Sequence, residues 1–72
     1  MATTIIAHIP VNTTAERRVS CSDGYTYSIG RTTFRNRPLT EISRWKTGTG
    51  SDEVINWRNL PYEVRAFFKR AF

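Results

Sequence analysis

This chain has few of the residues that usually carry chemistry. It holds one cysteine and one histidine in 72 residues. A single cysteine excludes an intramolecular disulfide and favours a reducing cytosol. One His8 and one Cys21, with no second ligand of either type nearby, exclude the usual tetrahedral metal patterns, so no metal and no cofactor is expected. No apolar run approaches the roughly 18 residues of a membrane span. The stretch Ile5 to Ile9 is too short for a signal peptide and has no basic residue before it. Gly48-Thr49-Gly50 lacks the following lysine and preceding strand of a phosphate loop. Acids are sparse and scattered apart from Asp52-Glu53, which a helix start explains without function. Nucleophilic catalysis by Cys21 would need a base within reach, and only His8 is on offer. The expectation is a protein that is not an enzyme.

What the chain has is positive charge and aromatic rings. Eleven Lys and Arg against six Asp and Glu leave a formal net charge of +5, and nine of the cations are Arg. A chain this short buries one modest core and has little left for a catalytic pocket, so function is expected on its surface. The guanidinium fork pairs bidentately with carboxylate or phosphate, which points to an acidic partner. The blander account is that this charge serves solubility, or that the arginines pair with Glu41, Asp52, Glu53 and Glu63.

The clearest local pattern is Arg17 to Ile29. Val19 and Cys21 alternate with polar residues before Asp23-Gly24, and Tyr25, Tyr27 and Ile29 alternate after it. Period two on both sides of a turn predicts a β-hairpin. A two-residue Asp-Gly loop would put the apolar residues of its strands on opposite faces. A three-residue loop, Ser22-Asp23-Gly24, pairs Cys21 with Tyr25 and Val19 with Tyr27 on one face, and is the preferred reading.

Ile5, Ile6 and Ile9 read as a short edge strand or arm ending at Pro10, and Val11 to Ala15 as a turn or linker. Residues 1–15 are thus expected to form an N-terminal arm on one domain spanning 1–72. Arg31 to Phe34 reads as extended. Leu39, Ile42 and Trp45 are three apart, which predicts a short helix over Pro38–Lys46. A second helix is expected over Asp52–Leu60, capped by Ser51 or Asp52. Val64, Phe67, Phe68 and Ala71 follow the i, i+3, i+4, i+7 stripe of a last helix beginning at Pro61. Trp45, Trp57, Tyr27, Phe67 and Phe68 are the expected core. The predicted fold is α+β: a β-hairpin or small antiparallel sheet packed against two or three short helices.

Arg31, Arg35 and Arg37 cluster around Phe34, which suits phosphates and a stacked base. A helix-turn-helix is disfavoured, because Asp52 and Glu53 would repel phosphate from the recognition helix. Trp, Tyr and Arg are also the usual anchors of protein interfaces. Phe34, Phe72 and the Ile5-Ile6-Ile9 arm are left over from the core, and an unpaired arm or hairpin edge can add a strand to a partner.

Small size, an Arg-rich body and the ending Leu60-Pro61-Tyr62-Glu63-Val64-Arg65-Ala66-Phe67-Phe68-Lys69-Arg70-Ala71-Phe72 carry a resemblance over the whole chain. The chain resembles the small phage-encoded RNA polymerase-binding transcription regulators known from Xanthomonas phage. The resemblance implies a non-enzymatic protein in the bacterial host cytoplasm that binds host RNA polymerase near the β′ N-terminal region. It also implies inhibited initiation through sigma displacement, and antitermination during elongation. The residues expected to meet the partner, read from the arm and the basic surface, are Ile5, Ile6, His8, Arg17, Arg18, Arg31, Arg35 and Arg37. A monomer with weak nucleic-acid contact and no membrane association is expected. The alternative is a basic DNA- or RNA-binding module, and a third class is an inhibitor of another host defence enzyme.

Overall fold

A computed structural model describes residues 2–11 and 15–71. Five strands and one helix follow in order: β1 (Ile5–His8), β2 (Glu16–Cys21), β3 (Tyr25–Phe34), β4 (Arg37–Lys46), β5 (Asp52–Val54) and α1 (Tyr62–Ala71). A single 3₁₀ turn, Trp57–Asn59, precedes α1. The strands form one antiparallel meander in the order β1-β2-β3-β4-β5. The expectation of a sheet against two or three helices is therefore corrected: the chain is mostly sheet, with one short C-terminal helix.

The β2–β3 hairpin has the predicted three-residue loop. Val19 pairs with Tyr27 and Ser20 with Thr26, and Gly24 takes a φ of 86° that a side chain would strain. Asp23 locks the loop twice. Its Oδ1 accepts the Tyr25 N–H at 2.9 Å, and its Oδ2 accepts the Tyr27 hydroxyl at 2.6 Å.

The helix expected over Pro38–Lys46 is instead β4, which pairs with β3 along its whole length from Tyr25–Lys46 to Phe34–Arg37. Spacing by three on a strand sends alternate members to opposite faces. Ile42 faces α1 and is buried; Leu39 and Trp45 face the other way. The turn is Arg35-Asn36 with φ of 52° and 63°, both left-handed, as the favoured two-residue hairpin loop requires. The helix expected over Asp52–Leu60 resolves into β5 and the 3₁₀ turn.

One face of the sheet is covered by α1. Val64 and Phe68, with Leu60, close over Val19, Cys21, Tyr27, Ile29 and Ile42, and Ile5, Ile55 and Phe67 pack around them. Of the expected core aromatics, Tyr27 and Phe68 are buried and Phe67 is half-buried. Trp45 and Trp57 are corrections. Trp45 lies half-buried on the open face, and Trp57 is 41% exposed at the start of the 3₁₀ turn.

The open face is polar. Thr26 bridges Ser20 and Thr47 through hydroxyl contacts of 3.3 and 2.9 Å. Arg18 reaches over Trp45, with its guanidinium carbon 5.2 Å from the ring centroid.

Residues expected as an arm form β1, whose residues Ile5, Ala7 and His8 pair with β2 across a bulge at Ile6. Of the linker Val11 to Ala15, residues 12–14 lie outside the described residues, as do Met1 and Phe72. Among the described residues no helix is long and apolar enough to cross a membrane.

Candidate interaction surface

The β3–β4 hairpin is longer than the body that supports it. β2 pairs with β3 only as far as Gly30, and the Arg31 N–H reaches the Ala15 carbonyl at 2.8 Å. β5 pairs with β4 only at Ser43 to Trp45, with one further bond from the Ile55 N–H to the Ile42 carbonyl. Beyond those limits no further strand among the described residues pairs with the two, and every residue from Arg31 to Glu41 is exposed.

This distal ribbon carries Arg31, Arg35 and Arg37 and no acid before Glu41. Strand alternation puts Arg31 on the α1 side with Ile29, while Arg37 shares the open face with its partner Phe34. Arg35 sits in the turn with its guanidinium carbon 5.3 Å from the Phe34 ring centroid. Cationic charge thus stands on both faces and at the tip, beside Phe34 at 61% exposure and Leu39 at 45%.

The outer edge of this ribbon is blunted. The Ile42 carbonyl points outward to Ile55, so the backbone groups of Thr40 and Pro38 point outward too. Pro38 has no N–H, which leaves a gap in any further ladder at that position.

The eight residues expected to contact a partner do not form one surface. Arg31, Arg35 and Arg37 share the ribbon. Ile6 is exposed at the β1 bulge, but Ile5 is half-buried against the core and its N–H meets Glu63 Oε1 at 3.3 Å. The His8 ring packs edge-on to Phe67 at 4.8 Å. Arg17 donates to the Glu16 carbonyl at 2.8 Å. Arg18, on the opposite face of β2, pairs with Glu16 at 2.8 Å.

The titratable groups with displaced pKa values are structural. Burial, reinforced by Asp23 and Glu63, pushes the Cys21 thiol up to about 11. A neutral buried thiol is a small hydrophobe rather than a nucleophile. Burial and the bond to Asp23 push Tyr27 up to about 12. Arg44 is held more firmly charged by Glu53, which its Nε meets at 2.7 Å, while its guanidinium carbon lies 4.6 Å from the Tyr25 ring centroid. Among the described residues no group of His, Cys, Asp or Glu is arranged to hold a metal ion.

No family model, curated protein or solved structure matches this chain. The geometry of its own residues therefore carries the functional argument.

A second aromatic and basic surface was missed by the sequence reading. Trp57, Tyr62, Arg65, Ala66 and Lys69 line a shallow groove between the 3₁₀ turn and the outer flank of α1. Trp57, expected in the core, stands at this surface instead. The available signal was the stripe Val64, Phe67 and Phe68, which sets the inner face of α1 and leaves Tyr62, Arg65 and Lys69 off it.

Proposed function

We propose that this chain is a non-enzymatic transcription regulator that acts in the bacterial cytoplasm by docking on host RNA polymerase. The observation that carries the reading is the projecting ribbon, exposed from Arg31 to Glu41, with three arginines and an exposed Phe34. A binding protein of this size needs a surface that reads acidic groups and buries a ring, and the ribbon offers both. The resemblance to phage regulators supplies the partner's identity: the β′ N-terminal region, with sigma displacement at initiation and antitermination later.

The test is capture of partners by tagged protein from nuclease-treated bacterial lysate, at moderate and high salt. Wild type is expected to retain polymerase subunits after nuclease treatment. Arg31→Ala/Arg35→Ala/Arg37→Ala is expected to lose at least tenfold of that capture while unfolding at the same temperature. Retention by the triple variant at the wild-type level would overturn the assignment of the ribbon. Absence of polymerase from the wild-type capture would overturn the function.

The second reading is a basic DNA- or RNA-binding module. It is favoured by arginines on both faces of a two-stranded ribbon, an element of a width that the DNA major groove admits. That reading predicts affinity for bare nucleic acid with a steep salt slope, and loss of all partners on nuclease treatment.

A further inference from the structure

We infer that the groove between Trp57 and the outer flank of α1 binds single-stranded nucleic acid. This surface is separate from the ribbon, and the inference stands whether or not the chain docks on polymerase.

Its lining is two aromatics, two cations and one small residue: Trp57, Tyr62, Arg65, Lys69 and Ala66. It contains no carboxylate. The neighbouring grooves each do: Asp52 and Glu53 in the one beside Trp45, Glu63 in the one beside Leu60, and Glu41 in the one beside Leu39. Tyr62 is 78% exposed and Trp57 41%, so both rings offer open faces. Arg65 and Lys69 are four residues apart on α1 and therefore stand on the same flank, one turn above the other. Lys69 lies in the last turn, where the helix dipole favours a cation, but Arg65 lies a turn earlier and the dipole does not account for it.

Exposed rings with a parallel row of cations are what a single strand requires, since bases stack on the rings and phosphates follow the charge. A duplex hides its base faces and would leave Trp57 and Tyr62 unused. An acidic peptide would satisfy Arg65 and Lys69, but its carboxylates bring no flat ring to stack on Trp57 and Tyr62 as successive bases do. Trp57 also lines the next groove, with Thr40 and Ile42 on its far side. Thr40 is the register partner of Arg31, which puts that next groove, with its Glu41, between the binding groove and the base of the ribbon.

The test is fluorescence anisotropy of an end-labelled thymidine oligomer of about four nucleotides, near the lower limit of site sizes for such modules, titrated with the full chain. Saturable binding that weakens with salt is expected. Tyr62→Ala and Lys69→Ala change exposed residues and keep the fold, and each is expected to weaken binding by roughly tenfold, the scale of one lost stack or phosphate contact. Arg31→Ala/Arg35→Ala/Arg37→Ala is expected to keep most of the affinity for so short an oligomer. No saturable binding would overturn the inference, as would equal binding by wild type and both groove variants. Displacement of the oligomer by an equal concentration of polyglutamate would also overturn it, because the groove would then read charge alone.

Discussion

The two halves of the β3–β4 hairpin share a ladder and differ in everything else. In the near half, Thr26, Tyr27, Ser28 and Ile29 are buried between β2 on one side and β4 on the other, and α1 covers the face that carries Tyr27 and Ile29. In the far half every side chain is exposed, and no third strand among the described residues supports the pair. The near half is held by what it buries. The far half is held by cross-strand backbone bonds and the Arg35-Asn36 turn, and its side chains are exposed to what lies outside the molecule. The distinction separates residues chosen for folding from residues available for recognition, even along one continuous strand.

The comparison can be broken hardest from the near side. Phe68→Ala removes a buried ring that presses on this half, at a cost of about 3–5 kcal/mol. A domain whose whole stability is about 5–15 kcal/mol would lose a large part of it. Denaturant unfolding should show the midpoint collapse. The triple alanine variant of the ribbon arginines should leave the same midpoint within about 0.5 kcal/mol of wild type, as surface changes do. A comparable loss in both would erase the distinction between the halves.

A subtler probe is pH. Cys21 lies on the buried face, and its thiol is raised from 9.0 to about 11. The folded state therefore favours the neutral thiol. Its contribution is complete below 9.0 and is lost as pH rises through about 11. Unfolding midpoints should fall across that window, and Cys21→Ala should flatten the fall. Tyr27, raised from 10.0 to about 12, adds a loss that begins above pH 10.0, within the upper part of the thiol's window, and continues beyond it. An unchanged slope in the variant between pH 9.0 and 10.0, before Tyr27 contributes, would mean that the Cys21 thiol is not held on the buried face against which the near half packs.

The smallest effect belongs to the far turn. Asn36 sits at φ 63°, where glycine is at no steric disadvantage. Asn36→Gly is expected to stabilise the hairpin by a few tenths of a kcal/mol, read as a rise in melting temperature of about 1–4 °C for a domain of this size. Destabilisation would mean that the turn adopts some other geometry.

The same contrast explains what was legible in the sequence. The first hairpin could be read down to its register, because Val19, Cys21, Tyr25, Tyr27 and Ile29 have one buried face that enforces period two. The last helix was equally plain from Val64, Phe67 and Phe68. The far half has no buried face, so nothing enforces alternation from Arg31 to Thr40. The run Leu39, Ile42, Trp45 then imitated a helical stripe, although its members serve opposite faces of a strand. β5 is three residues long and all exposed, too short to outweigh an apparent helix cap at Ser51 or Asp52. The basic cluster at Arg31, Arg35 and Arg37 was visible as composition. Its joint display on one ribbon was not, since that depends on pairing with β4. His8 and Arg18 looked available because their partners, Phe67 and Trp45, are distant in sequence.

Pro38 has a consequence for how a partner recognises the ribbon. An open strand edge is ordinarily a universal adhesive, accepting any backbone that can continue its ladder. With the donor missing at Pro38, the ladder that this edge offers is broken, and the guanidinium groups and rings carry more of what distinguishes the ribbon. Its vocabulary can then be rewritten one side chain at a time, while the grammar of the sheet beneath it stays as it is.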